Sequence, residues 1–250
     1  YTAKVMSYES NYPKGEFGNS ITYTCAVPGA YAKVRRSWDD HVSKALKNGK
    51  LSRFFLNKTP WDKKKPGDFA LSNANVVDLI NSEKIGKFHI HGHGLNNCWV
   101  LENHQKFTNK EVLKLTNKDA YPIITTVSCF TGQYDAVKDP CITESMLRVK
   151  DAGAIAIVAP CRTGKPHFVN PRTDFPLMMK EGKMDGTTET MTLFWEKGIA
   201  GNLSTGEALM QSKLALSERA RQSANFHMCV CELNLLGDPS IKVQPTVQKN

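Results

Sequence analysis

The chain has 250 residues, of which 40% are hydrophobic and 23% are charged, which suits one or two globular domains with a buried core. No apolar run approaches the roughly 20 residues that cross a bilayer, so we expect no membrane partner. The net charge of +9 includes basic runs at 33–36 and 63–65. Both runs have acids nearby and neither is interleaved with stacking aromatics, so we expect no nucleic-acid partner.

The first residue is Tyr1 rather than methionine, which predicts that the chain is a fragment or a processed form. The absence of a visible signal peptide therefore says nothing about secretion. The seven cysteines are an odd number, so at least one thiol stays outside any intrachain disulfide.

Strand and helix patterns alternate along the first part of the chain. Residues 21–27 are β-branched and apolar and stop at Pro28, which predicts the first strand. Residues 34–48 carry apolar side chains at helical spacing, which predicts a helix. The elements predicted next are a strand at 51–56, a polar loop at 57–72, a short helix through 76–80 capped by Asn73 or Asn75, and a strand at 87–90.

The alternation continues to the end of the chain. Thr108 and Glu111 have the spacing of a capping box for a helix that reaches about residue 115. The other predicted elements are strands at 97–101, 121–127, 153–159, 230–236 and 241–243, helices at 142–152, 188–198 and 205–221, and a loop at 160–176. This order predicts one α/β domain with a largely parallel sheet covered by helices on both faces.

Two short motifs follow two of these strands. His-Gly-His-Gly occupies 91–94 and Ser-Cys-Phe-Thr-Gly occupies 128–132. A histidine and a cysteine at the carboxyl ends of neighbouring strands are how an open α/β sheet pairs a thiol nucleophile with its acid/base partner. The pattern therefore predicts a cysteine peptidase in which Cys129 is the nucleophile and His93 its partner.

The glycines around His93 support the same interpretation. They remove side-chain bulk, so that a peptide substrate can approach the ring and the backbone. The backbone amides of Gly94 and Cys129 are then candidates for binding the oxyanion of a tetrahedral intermediate.

A metal site is a weaker alternative. His89, His91 and His93 alternate, so on a strand they share one face, as the ligands of a metallohydrolase would. No HExxH motif accompanies them and no carboxylate lies within their immediate spacing. The thiol chemistry itself needs no metal or other cofactor.

The stretch from about 74 to 161 resembles the gingipain family of clan CD cysteine peptidases, which have the caspase-like fold. The resemblance rests on the motifs at 91–94 and 127–132 and on residues 144–148, which precede the run at 153–157. It also includes residues 236–240, and in total it covers about two thirds of the chain. It implies a caspase-like three-layer sandwich. It also implies a single peptidase catalytic domain over 1–250, without the subdomain that precedes it in the family.

Residue roles follow from the resemblance position by position. His93 corresponds to the catalytic histidine, Cys129 to the nucleophile, and the amides of Gly94 and Cys129 to the oxyanion site. His91 and Val127 correspond to positions that flank the primary specificity pocket. In the loop after Pro160, Phe168 is the candidate for an aromatic pocket wall.

The chain also departs from the family pattern. Arginine-specific gingipains have a glutamate just after the first strand, whereas residues 26–30 here contain no acid. The third catalytic member is therefore missing or comes from elsewhere, and a catalytically idle scaffold is an alternative function. Asp39 and Asp40 fall near the family's substrate-reading acid, which implies a weak preference for Arg or Lys before the cleaved bond.

The resemblance implies partners and a location as well. The expected partners are a peptide or protein substrate and an inhibitory pro-segment. An exported protein, secreted or periplasmic, is favoured over a cytosolic one.

Overall fold

A seven-stranded sheet forms the centre of the structure, a computed structural model that describes residues 1–13, 15–25, 50–55, 69–101, 105–136, 138–164 and 186–243. Its strand order is β10-β9-β8-β4-β1-β2-β3, and all neighbours are parallel except β10, which runs antiparallel to β9. The strands β5, β6 and β7 form a separate antiparallel sheet. The strands are β1 (Ser20–Cys25), β2 (Lys50–Phe55), β3 (Phe69–Ala70), β4 (Lys87–His91), β5 (His93–Leu95), β6 (Cys98–Val100), β7 (Lys106–Thr108), β8 (Ile123–Thr126), β9 (Ala156–Pro160) and β10 (Leu233–Gly237).

Helices connect and cover these strands. The described helices are α1 (Thr2–Ser10), α2 (Glu16–Asn19), α3 (Asn73–Asn81), α4 (Asn109–Val112), α5 (Ile142–Arg148), α6 (Gly186–Ala200), α7 (Thr205–Ala215), α8 (Ser217–Gln222) and α9 (Ala224–Cys231). None of the helices within the described ranges is long and apolar enough to cross a membrane.

Each face of the large sheet carries its own hydrophobic core. On one face, Ile123 and Val127 of the β8 segment pack with Met191 and Trp195 of α6. On the other face, Ile124 packs in a second core to which α3 and α5 also contribute apolar side chains. Because successive residues of a strand point to opposite faces, the apolar run at 121–127 feeds both cores at once. The predicted α/β sandwich with a mostly parallel sheet is confirmed.

Local capping signals are confirmed at one helix and corrected at another. The capping box at Thr108 and Glu111 is present, although α4 ends at Val112 rather than near 115. At α3 the cap is Ser72, not Asn73 or Asn75, and its hydroxyl accepts a hydrogen bond from the Asn75 amide at 3.2 Å. A serine hydroxyl is as good an acceptor as an asparagine oxygen there, so composition alone does not choose between adjacent caps.

Several predicted elements have different bounds. The helix predicted over 205–221 is two helices, α7 and α8, because Leu216 leaves helical geometry at φ −105° and ψ 0°. The strand predicted from 230 begins at Leu233, since α9 continues to Cys231. At 241–243 only one bridge forms, between Ser204 and Lys242. The short strand β3 lies within the predicted loop, α1 was not predicted, and the helix predicted at 34–48 falls outside the described residues.

Candidate active site

The two motifs lie at the same edge of the large sheet because the strands before them are neighbours. β4 and β8 are parallel, with Ile90 opposite Thr126. The Val127 amide continues the ladder by donating to the Ile90 carbonyl at 3.1 Å. His93 follows β4 by two positions and Cys129 follows β8 by three. The carboxyl ends of parallel strands are where open α/β sheets place their reactive side chains, as expected from the sequence.

The small sheet holds the backbone at His93. β5 pairs with β6 so that His93 faces Val100 and Gly94 faces Trp99. Trp99 is fully buried and stacks on Phe107, with ring centroids 5.4 Å apart. His93 itself is exposed. A rigid backbone therefore presents its imidazole to solvent, where a substrate can reach it.

Main-chain hydrogen bonds shape the loop that carries Cys129. Phe130 has φ +61°, a left-handed conformation that turns the chain sharply after the cysteine. Its amide donates to the Arg162 carbonyl at 2.7 Å, and the Thr131 hydroxyl donates to the Ser128 carbonyl at 2.8 Å. Ser128 and Thr131 are buried, whereas Cys129 is partly exposed. The turn thus lifts the thiol out of the core.

Gly94 brings the two motifs into direct contact. A Cβ atom built on Gly94 would lie 2.6 Å from Cγ2 of Thr131, 2.7 Å from Cβ of Ser128 and 2.9 Å from the Cys129 carbonyl oxygen. Distances below 3.0 Å leave no room for a side chain, so only glycine allows this approach. The residue after His93 therefore packs against the residues on both sides of Cys129.

The segment after β9 forms a wall beside the thiol. The Cys129 thiol donates to the Gly164 carbonyl at 3.6 Å, a long contact suited to sulfur. Gly164 also lies against the Val127 carbonyl, which is 2.4 Å from the position of an added Cβ. Arg162 forms a two-pronged ion pair with Asp135, at 3.0 and 2.6 Å, but both side chains are about half exposed, so the pair adds little stability. Several hydrogen bonds thus fix this wall relative to Cys129.

A chain of buried polar groups lies beneath the site. The Trp195 indole donates to the Thr125 hydroxyl at 2.7 Å, and that hydroxyl lies 2.6 Å from Nδ1 of His89. The His89 ring stacks on Tyr23, and His91 follows on the same face, its ring 6.3 Å from that of His89. No sequence pattern indicates that Trp195 would meet Thr125, 70 residues away, because only the packing of α6 on the sheet joins them.

Burial keeps His91 neutral. Desolvation lowers its pKa to about 4, and the charge of the neighbouring His93 acts in the same direction. The pKa of His89 is held well below its usual range, first by burial and then by His91. At neutral pH both rings are therefore uncharged parts of the sheet surface rather than proton donors.

The low pKa of His91 predicts an acid-sensitive fold. The unfolded chain takes up this proton near pH 6.5 but the folded protein only near pH 4, so stability is complete above pH 6.5 and falls as the pH drops towards 4. Between pH 6.5 and pH 4, the free energy of unfolding of the native protein should fall by about 3 kcal/mol more than that of the His91→Gln variant.

Urea unfolding at a series of pH values measures this difference. The exposed His227 supplies the control, since His227→Gln makes the same substitution at the surface rather than in the core. Parallel curves for the native protein and His91→Gln would contradict the low pKa.

The remaining predicted pocket residues divide into two groups. His91 and Val127 lie at the same sheet edge as Cys129 and are both buried, with 5% and 7% of their surface exposed. Phe168, Asp39 and Asp40 lie outside the described residues, as does the acid-free stretch at 26–30.

The three alternating histidines do not converge on one point. His89 and His91 are buried whereas His93 is exposed beyond the end of β4. Over the described part of the chain there is no group of three or more His, Cys, Asp or Glu side chains that could hold a metal ion. The geometry therefore gives the metallohydrolase alternative no support.

A parallel α/β sheet with a cysteine and a histidine at adjacent strand ends defines a caspase-like class of protein. Comparison with known families matches residues 1–244 to peptidase family C25. The chain therefore belongs to peptidase family C25, the gingipain family of clan CD cysteine peptidases, as the sequence motifs predicted.

Solved structures show the same fold. The chain is similar to the Arg-specific cysteine proteinase gingipain R (RGPB), with a TM-score of 0.69 and 18% identity over 98% of this chain. It is also similar to the complex of Porphyromonas gingivalis RgpB pro- and mature domains, with a TM-score of 0.63 and 16% identity over 96% of this chain. Both matches cover 52% of the other chain, so this chain spans about half the length of those structures. A search of curated proteins gives no significant match.

Proposed function

We propose that this chain is a cysteine endopeptidase that works through a dyad of Cys129 and His93. The observation that carries the proposal is the packing of Gly94 against Ser128, Cys129 and Thr131. This contact ties the backbone beside the imidazole to the backbone beside the thiol. Membership of family C25 supports the same chemistry.

The mechanism follows from the two accessible side chains. His93 accepts the thiol proton, and the Cys129 thiolate attacks the carbonyl carbon of the scissile peptide. His93 then returns the proton to the leaving amine, and water hydrolyses the acyl-enzyme. Burial keeps the neighbouring His91 neutral, so it does not compete for this proton.

The amides of Gly94 and Cys129 are proposed to bind the oxyanion. Gly94 lies in β5 and Cys129 in the loop after β8, and these two segments meet at the Gly94 contact. An oxyanion donor of this kind is typically worth about 3–4 kcal/mol in the transition state.

For specificity we propose a weak preference for Arg or Lys before the scissile bond. It rests on the family resemblance at Asp39 and Asp40, with His91, Val127 and Phe168 as the pocket walls. The name of one similar structure, an Arg-specific proteinase, agrees with this preference. The pro- and mature-domain complex among the similar structures supports an inhibitory pro-segment as a partner.

Covalent labelling tests the nucleophile and the pocket together. The reduced protein, freed of any inhibitory segment, is treated with arginyl, lysyl or leucyl chloromethyl ketone. The Cys129 thiolate displaces chloride and forms a thioether that peptide mass spectrometry locates. We expect the two basic reagents to label Cys129 about tenfold faster than the leucyl one, a difference of about 1.4 kcal/mol.

The outcomes separate the rival functions. Equal rates with all three reagents would remove the basic preference and leave the dyad. An idle scaffold predicts no selective labelling of Cys129 and no turnover of fluorogenic peptides that end in Arg, Lys or Leu.

A further inference from the structure

A second pair of thiols lies one strand further along the sheet edge. Cys161 follows β9 and Cys231 ends α9. The Cys161 amide donates to the Glu232 carbonyl at 2.8 Å, which extends the β9–β10 ladder one step beyond the pair of Pro160 and Leu233. Cys161 is partly exposed, Cys231 is exposed, and neither forms a disulfide. The two residues are therefore neighbours across the ladder, and both side chains are open to small reagents.

The ladder places Cys161 opposite Glu232, the residue that follows Cys231 in the chain. Cys231 lies one strand spacing away from Cys161 and one residue further along the chain, so we expect their Cα atoms to be roughly 6 Å apart. A disulfide can span that distance. In a regular strand adjacent side chains would point to opposite faces. That alternation stops here, because Cys231 is helical and Glu232 has φ −70° and ψ −17°.

The Lys213 ammonium lies in the neighbourhood of both cysteines. It donates to the Leu233 carbonyl at 2.6 Å, beside the ladder. Burial lowers the pKa of Lys213, and the charges of Cys231 and Cys161 both oppose that shift. In thiol–disulfide exchange the thiolate is the attacking form of a cysteine.

Cys231 also has a proton acceptor of its own. His227 lies one helical turn earlier on α9, and its Nε2 is 3.3 Å from the Cys231 sulfur. The two side chains meet because residues four apart on a helix are neighbours. Cys231 is therefore an exposed thiol in contact with an imidazole, whereas Cys98 and Cys141 are buried and burial raises their pKa values.

We propose that Cys231 and Cys161 form a thiol–disulfide exchange site whose co-substrate is a small disulfide such as oxidised glutathione. The Cys231 proton passes to His227, and the thiolate attacks one sulfur of the small disulfide, which breaks its S–S bond and releases one small thiol. Cys161 then loses its proton and attacks the Cys231 sulfur of the mixed disulfide, which releases the second small thiol. Two protein thiols are oxidised to one disulfide and the small disulfide is reduced to two thiols.

This inference does not depend on peptidase activity, but the site adjoins the proposed one. Cys161 opens the segment whose Arg162 carbonyl accepts from Phe130 and whose Gly164 carbonyl accepts from Cys129. A link between Cys161 and Cys231 would act on the same wall that holds the proposed nucleophile.

The test uses the full chain carrying Cys129→Ala, so that the proposed nucleophile does not react. The reduced protein is incubated with oxidised glutathione and digested without reduction, and its peptides are mapped by mass spectrometry over time. We expect a mixed disulfide at Cys231 first and then a linked peptide joining residues 161 and 231. In the Cys161→Ser variant the mixed disulfide should persist, and His227→Gln should slow its formation about tenfold.

Three results would overturn the proposal. The first is a mixed disulfide at Cys231 that persists while Cys161 is present. The second is a rate of mixed-disulfide formation at Cys231 that is no faster than at the buried Cys98 or Cys141. The third is a rate at Cys231 that His227→Gln leaves unchanged. Far-ultraviolet circular dichroism of each variant shows whether the fold is retained. If a serine variant unfolds, the linked peptide in the Cys129→Ala protein still decides the pairing.

Discussion

Replacing Cys129 by alanine should abolish peptide hydrolysis while the protein stays folded. The change removes the atom that forms the acyl-enzyme, and loss of a nucleophile typically lowers kcat by a factor on the order of 10⁴ or more. The side chain is partly exposed and its contact with the Gly164 carbonyl is a long one of 3.6 Å, so the cost to the fold should stay below about 1 kcal/mol. Initial rates with fluorogenic peptides and a thermal unfolding curve measure the two effects separately.

Cys231→Ala is the matched control for this experiment. It removes an exposed thiol that also lies near an imidazole, His227, but follows no strand of the parallel sheet. It should retain the turnover and the chloromethyl ketone labelling of the native protein. Turnover that survives Cys129→Ala, or disappears in Cys231→Ala, would assign the nucleophile to another residue.

The meeting of the two motifs was predictable from the sequence because it depends on strand direction alone. The runs before residues 91 and 128 have the length of strands, and the observed strands, Lys87–His91 and Ile123–Thr126, are buried along their whole length, as in a central parallel strand. Neighbouring parallel strands end at the same edge, so the segments that follow β4 and β8 meet once the two strands are adjacent. No detail of side-chain packing was needed.

Features that depend on competition between similar local signals were less predictable. Cys229, Val230 and Cys231 form a short apolar run that fits a strand or a buried helix, and the Ser223 cap, with its hydroxyl accepting from Phe226, favours the helix. The two-residue strand β3 has too little sequence to show a period and is defined only by its pairing with β2. In both cases the secondary structure depends on tertiary packing, which a local sequence pattern does not encode.

The parts of the site that were missed are contacts between distant segments. The sequence identified Gly94 by its place after His93, but not its close packing against Thr131 and Ser128. The hydrogen bond from Trp195 to Thr125 likewise joins elements about 70 residues apart. The sequence thus selected the candidate residues, and the structure adds the contacts between the segments that carry them.

Gly94→Ala is expected to uncouple the two loops and lower kcat about 100-fold. The new methyl group would overlap Thr131, Ser128 and the Cys129 carbonyl by enough to move one loop away from the other. A displacement of about 1 Å between reacting groups costs roughly two orders of magnitude in rate. Overpacking of this kind also destabilises a fold by about 1–3 kcal/mol.

Gly206→Ala separates the effect on rate from the effect on stability. An added Cβ there would lie 2.8 Å from Cβ of Pro239, a similar overlap, but at the opposite edge of the sheet where α7 begins. We expect a comparable loss of stability with unchanged turnover per labelled active site.

The double variant Gly94→Ala/Thr131→Ser tests whether the overlap itself causes the loss of rate. It removes the nearest methyl group and keeps a hydroxyl at position 131 that can donate to the Ser128 carbonyl, so part of the lost rate should return. Native turnover in Gly94→Ala would show that this contact does not align the imidazole with the thiol, and the proposed dyad would lose its structural support.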